Sequence, residues 1–155
     1  MAIFSKLPTL VAVLALAGCG HEEPSACSPL PQDRDEVKRT VEAFFDALRE
    51  DDVAAFRLAT TASFDSFDGG KRYPGTELAD EVRDAHARGV EINWSIGKLD
   101  TKIQCDVAWS SWENDGSAGI PPDVMPVRWL ESAVLVRDNG NWKIDFFHSH
   151  RAVAN

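Results

Sequence analysis

The chain has 155 residues, 44% of them hydrophobic and 26% charged, with a formal net charge of −9. An acidic chain without clustered Lys and Arg does not carry a nucleic-acid footprint, and its charge works against adhesion to anionic lipid. Once the first 34 residues are set aside, the length allows one domain with one hydrophobic core.

The N-terminus reads as an export leader. Lys6 and the chain amine supply positive charge, and an apolar run of 11 residues from Leu7 to Ala17 follows. That run is well short of the roughly 20 apolar residues needed to cross a bilayer. It closes on Leu16-Ala17-Gly18-Cys19, the pattern of a bacterial lipobox. The expectation is removal of residues 1–18 and lipidation of Cys19 by palmitate-type acyl chains. Each buried CH₂ then adds about 0.8 kcal/mol of membrane affinity. The membrane becomes a partner through the anchor, and the expected location is the bacterial cell envelope. Gly20, in place of an inner-membrane-retaining Asp, favours the outer membrane or periplasmic face. With Cys19 lipidated, Cys27 and Cys105 are left in an oxidising compartment and are expected to pair. Residues 19–34 contain three prolines and read as an extended tether. The domain is expected over 35–152.

A first helix is marked by Val37, Val41, Phe44, Phe45 and Leu48 at helical spacing, with Asp33 and Asp35 as candidate N-caps. A break at Asp51-Asp52 precedes a short helix with Val53, Phe56 and Leu58 as its apolar contacts. The stretch from Phe64 to Tyr73 contains Asp68-Gly69-Gly70 and reads as a strand or hairpin fragment, with a turn that could form a lip. Thr76 is placed as the cap of a third helix, striped by Leu78, Val82 and Ala85 and stopped at Gly89. The period then becomes two. Val90, Ile92, Trp94 and Ile96 mark one strand, and residues 103–112 a second, with Cys105, Val107 and Trp109 on one side. Two Gly and three Pro in residues 113–126 predict a loop. Strands over 127–137 and 141–150 flank Asn139-Gly140, a strong hairpin signal. Helices followed by antiparallel strands give an α+β class.

Two segments carry a resemblance. The opening helix contains Val41-Glu42-Ala43-Phe44-Phe45-Asp46-Ala47-Leu48. The closing hairpin contains Val134-Leu135-Val136, Gly140-Asn141-Trp142-Lys143-Ile144 and Phe147-His148-Ser149. Residues 35–151 resemble the nuclear-transport-factor-2-like superfamily, in its SnoaL-like and ketosteroid-isomerase-like branches. The resemblance implies a cystatin-like cone, a curved antiparallel sheet with N-terminal helices on its concave face and a cavity between them. Such cones serve as isomerases, cyclases and dehydratases, and as non-catalytic modules, so the fold does not deliver the function. The isomerases' oxyanion-hole Tyr has no match here, since the one Tyr, Tyr73, stands beside Pro74.

Taking Asn139-Gly140 as a two-residue loop, Arg137 faces Trp142, Leu135 faces Ile144, Ala133 faces Phe146, Glu131 faces His148 and Trp129 faces His150. This more aromatic face is assigned to the cavity. Glu131 and His148 would stand about 4.5–5.5 Å apart at Cβ. They would form a general acid/base pair, a zinc site with His150, or a mutually satisfied polar pair at the mouth. A three-residue loop with a bulge would dissolve the pairing. Trp94, Trp109, Trp112, Trp129 and Trp142 are core residues or the lining of an aromatic site, and Asp106 is a further candidate cavity acid. No cofactor or metal is expected. Three functions stay open. One is a membrane-tethered, non-catalytic module holding a small apolar or amphipathic ligand. The second is an enzyme using His148 with Glu131 or Asp106, and the third a homodimer through an outer sheet face with Val134 and Phe147.

Overall fold

The computed structural model describes residues 27–153. The leader and the first half of the expected tether, Cys19 included, lie outside the described residues. Three helices and seven strands follow in order: α1 Asp33–Arg49, α2 Val53–Ala59, β1 Thr60–Asp68, β2 Lys71–Pro74, α3 Glu77–Ala87, β3 Glu91–Ile96, β4 Asp100–Gln104, β5 Val107–Ile120, β6 Asp123–Asp138 and β7 Asn141–Arg151. The strands make one curved, unclosed sheet in the order β2-β1-β7-β6-β5-β3, with β4 also on β5. β1 runs parallel to β7, and every other pair is antiparallel. Among the described residues no helix is long and apolar enough to cross a membrane.

The helices cover the concave face. Val37, Val41, Phe44, Phe45 and Leu48 of α1 are all buried, as their stripe requires. Phe44 is the hub, with Phe45, Phe56, Phe64 and Phe147 at centroid distances of 5.0 to 6.0 Å. α2 starts where Asp52 accepts from the Ala55 N–H at 2.9 Å. Its Leu58, expected to pack, is instead 76% exposed. This seven-residue helix turns Phe56 and Ala59 inward, leaving Leu58 on the far side.

Neither Asp33 nor Asp35 is the N-cap of α1, whereas Thr76 does occupy the N-cap of α3, without a side-chain cap bond. Asp33 has a different task. It is buried in the first turn of α1, where the helix dipole favours a negative charge. It accepts from Leu30 N–H at 2.7 Å, from the Arg137 guanidinium, and from Trp142 Nε1 at 3.3 Å. Burial pushes its pKa up, but these donors and the Arg137 charge outweigh burial and hold it below the ordinary value. Arg137 also lies over the Trp142 ring, 4.5 Å from its centroid. The start of α1 is thereby locked to the β6–β7 hairpin.

The expected strand over 103–112 is two strands. The chain reverses at Cys105-Asp106, where Cys105 has φ 55° and β4 folds back on β5. Cys105 is joined to Cys27 with Cα atoms 5.1 Å apart. The disulfide therefore fastens the N-terminal segment at this end of the sheet, next to the Arg137 N–H that donates to Asp106.

The expected loop over 113–126 is instead the long β5–β6 hairpin, paired continuously from Val107↔Val136 to Ile120↔Asp123. Its Gly and Pro have structural uses within strands. A Cβ on Gly116 would stand 1.9 Å from the Asn93 carbonyl oxygen and 3.0 Å from the Trp129 ring, so only Gly lets β3 and Trp129 close in together. Pro121-Pro122 makes the turn. Pro126 lies beyond the end of β7, whose last partner on β6 is Trp129, so no strand there requires the missing N–H.

Candidate ligand cavity

The Asn139-Gly140 turn and its first four pairs fall as the sequence predicts, from Asp138↔Asn141 to Leu135↔Ile144. Beyond them the register shifts by one, because Asp145 forms a β-bulge between the Leu135 and Val134 pairs. The Asp145 carboxylate accepts from Thr61 Oγ1 at 2.6 Å and Ser63 Oγ at 2.8 Å, opposite an irregular stretch of β1. The consequence is a change of face for the far half of β7. Phe147 and Ser149 point inward, while His148 lies on the outer face and His150 is exposed at the edge between the two faces.

Several expectations are corrected by this bulge. Glu131 pairs with Ser149, and His148 pairs with Ser132, so the Glu131–His148 couple does not form. The two histidines cannot join Glu131 around a metal, and among the described residues no group of His, Cys, Asp or Glu is arranged to hold one. Phe147 is a core residue and not part of an outer docking face. Asp106 is also outside the cavity. It sits in the exposed β4–β5 turn, with its carboxylate 3.2 Å from Arg137 Nε.

Glu131 and Trp129 do reach the concave side. There the sheet, α1 and α3 enclose an open cavity of about 600 Å³, toward the end of the sheet away from the disulfide. Phe45 and Leu48 come from α1, Leu78 and Val82 from α3, Trp94 from β3 and Trp129 from β6. One side is polar and carries Glu131, Ser149 and Asp68, while Gly69, Gly70, His150 and Arg151 mark the rim. A mostly apolar hollow with a few converging polar groups has the form of a small-molecule site.

Glu131 is buried, only 4% exposed. Trp112 Nε1–H and Asn114 Nδ2–H donate to its Oε2 at 2.7 and 2.9 Å, and Ser149 Oγ donates to Oε1 at 3.2 Å. Asn114 is itself oriented by accepting the Ser95 N–H at 2.8 Å. Burial is the dominant influence on the carboxyl. It raises the pKa from 4.5 to about 7 against the pull of these three donors, with the charge of Asp68 adding to the rise. Burial likewise raises Asp68 above its ordinary value, although Ser149 and the more distant Arg151 and His148 pull it down. A carboxyl poised near neutrality can donate or accept a hydrogen bond at the end of an aromatic chamber.

Of the tryptophans, Trp94 and Trp129 line the cavity, and Trp112 supports Glu131 from the core. Trp142 lies at the Arg137 end, and Trp109 is 44% exposed on the outer face. Asn114, Ser149 and Asp68 were not singled out from the sequence as parts of the cavity. In the sequence Asn114 falls inside the expected loop, strict alternation puts Ser149 on the opposite face, and Asp68 belongs to the expected turn or lip.

No protein-family model matches the chain, and no curated protein matches it. Solved structures do. A ketosteroid isomerase-like protein from Erwinia carotovora atroseptica superposes with a TM-score of 0.66 at 16% identity, covering 81% of this chain and all of that one. An NTF2-like protein of unknown function from Pseudomonas putida gives 0.66 at 15% identity, covering 82% of this chain and 92% of that one. The fold is nuclear-transport-factor-2-like. A protein of unknown function with a cystatin-like fold from Nostoc punctiforme gives 0.65 at 13% identity, covering 81% and 95%. At these identities the nuclear-transport-factor-2-like likeness concerns backbone and topology, and the activity named for one neighbour belongs to that neighbour.

Proposed function

We propose that this protein is a lipid-anchored, non-catalytic module of the bacterial envelope whose cone holds a small amphipathic molecule. The observation that carries the reading is the open cavity of about 600 Å³, mostly apolar with four aromatic rings in its wall and polar at Glu131. A hollow of that size is an expense in lost packing unless something fills it. The expected His–carboxylate couple is absent from the cavity, where Glu131 is held by indole, amide and hydroxyl groups, which suits gripping a ligand.

The anchor fits the same reading. Seven residues separate Cys19 from Cys27, a reach of under about 30 Å even fully extended. Cys27 is fastened to Cys105 beside the start of β5, whereas the cavity residue Ala118 is near the other end of that 14-residue strand. A lipid on Cys19 would hold the disulfide end toward the membrane and leave the mouth facing the aqueous side.

Two experiments test the proposal. Labelled palmitate should enter the wild-type chain and not Cys19→Ala, and equal labelling would remove the anchor. Nile red should brighten on entering the wild-type cone, and Ala118→Phe, which fills the chamber, should abolish the effect. Equal brightening of both proteins would remove the ligand-holding role.

A further inference from the structure

Among the buried and half-buried acids of this domain, Asp33 has Arg137, Asp65 on the outer side of β1 has Arg72 at 2.7 Å, and Asp145, outside the cavity, is held by the Thr61 and Ser63 hydroxyls. Glu131 and Asp68, the two acids that face the cavity, have no cation within ion-pairing distance among the described residues. The groups around them from each packed element are few. β5 supplies the neutral Trp112 and Asn114, β7 supplies Ser149, and α1 and α3 supply Phe45, Leu48, Leu78 and Val82. Arg151 and His148 act on Asp68 only as distant charges. An uncompensated acid inside a fold is costly, and burial has moved both carboxyls toward their neutral forms.

The chamber therefore has an acidic end with no ion-paired cation, Arg151 at the rim being the nearest charge that acts on Asp68. Trp94, Trp129 and Phe147 stand beside that end. Aromatic faces attract cations through the ring quadrupole, most strongly where water is displaced. Glu131 Oε1 accepts only the long 3.2 Å bond from Ser149 and keeps a lone pair for another donor.

Resting on the ligand-holding reading above, we infer that the ligand is an amphipathic amine. Its ammonium sits against Glu131 and Asp68, and its apolar body lies between Trp94, Trp129 and Phe147. The ligand supplies the cation that the fold withholds, and a desolvated, charge-assisted contact of this kind discriminates sharply against a neutral isostere.

The test uses the full chain in phosphatidylcholine nanodiscs, with empty nanodiscs as blank, and isothermal titration calorimetry. Three probes share one ring: 2-phenylethylamine, the uncharged 2-phenylethanol and the anionic 3-phenylpropanoate. The amine should bind at least tenfold more tightly than the alcohol, and the acid most weakly. Glu131→Gln and Asp68→Asn, each checked by circular dichroism for an intact fold, should each cut amine affinity about tenfold and alcohol affinity by much less. Alcohol or acid binding as tightly as the amine, or an amine preference that survives in both variants, overturns this inference and leaves the cavity as a binding site. No binding of any probe at millimolar concentration overturns both readings.

Discussion

Replacing Glu131 by Gln should change how stability depends on pH in a way that can be worked out in advance. In the folded chain the carboxyl titrates at about 7, against an ordinary value of 4.5. The folded state thus holds this proton more tightly than the unfolded state. The group's contribution is fully present below pH 4.5, drains away as pH rises to about 7, and is flat above. At 1.36 kcal/mol per pH unit the interval amounts to about 3 kcal/mol. Gln has the same shape, keeps an oxygen for Trp112 and Asn114, and never ionises. Stability of the variant relative to wild type should therefore rise by about 3 kcal/mol between pH 4.5 and pH 8. Groups other than Glu131 are common to both proteins and cancel to first order, apart from Asp68, whose charge acts on Glu131. Urea unfolding followed by tryptophan fluorescence, with the disulfide intact, at pH 4.5, 6 and 8 gives the difference directly. A relative stability that stays flat across this range would refute the assignment of a buried, cation-free carboxyl at position 131.

Three further outcomes follow from the same geometry. Arg137→Met leaves Asp33 buried without its cation and should cost about 3–5 kcal/mol by urea unfolding at pH 7. Reducing or deleting the Cys27–Cys105 bridge, which closes a separation of 78 residues, should cost up to about 4 kcal/mol, seen as a lower urea midpoint for Cys27→Ser with Cys105→Ser. Gly116→Ala drives a methyl into the Asn93 carbonyl and should part β3 from β5 at a cost of about 3 kcal/mol, with Trp94 becoming accessible to acrylamide quenching.

The parts of the fold legible in the sequence are those written in local periodicity. The stripe from Val37 to Leu48 predicts α1 because each of its members is buried. The Asn139-Gly140 turn predicts the closing hairpin, and the register holds as far as Leu135↔Ile144. The far half of the same hairpin departs from the expected register at a single residue. Strict alternation from Trp142 and Ile144 continues to Phe146 and His148, whereas the chain bulges at Asp145 and buries Phe147 and Ser149. The adjacent pair Phe146-Phe147 was the local sign that alternation lapses. The cause is not local, since Asp145 is held by hydroxyls on β1 more than 80 residues away in sequence. Composition misled in the same way at 113–126. Gly116 is there for close strand approach and Pro126 for a free edge, and both uses depend on neighbours that a linear reading does not see. Glu131 and Trp129 lie on the concave face because they stand on β6, which keeps its alternation throughout. Ser149, Asn114 and Asp68 needed the sheet to be assembled first.

The most direct measurement is the titration of the Glu131 side-chain carboxyl by carbon-13 NMR, resolved by comparison with Glu131→Gln. The structure calls for a midpoint about 7, moved down when 2-phenylethylamine is added. A midpoint near the ordinary 4.5, unmoved by the amine, would mean a wet, already compensated acid and no site for a ligand to complete.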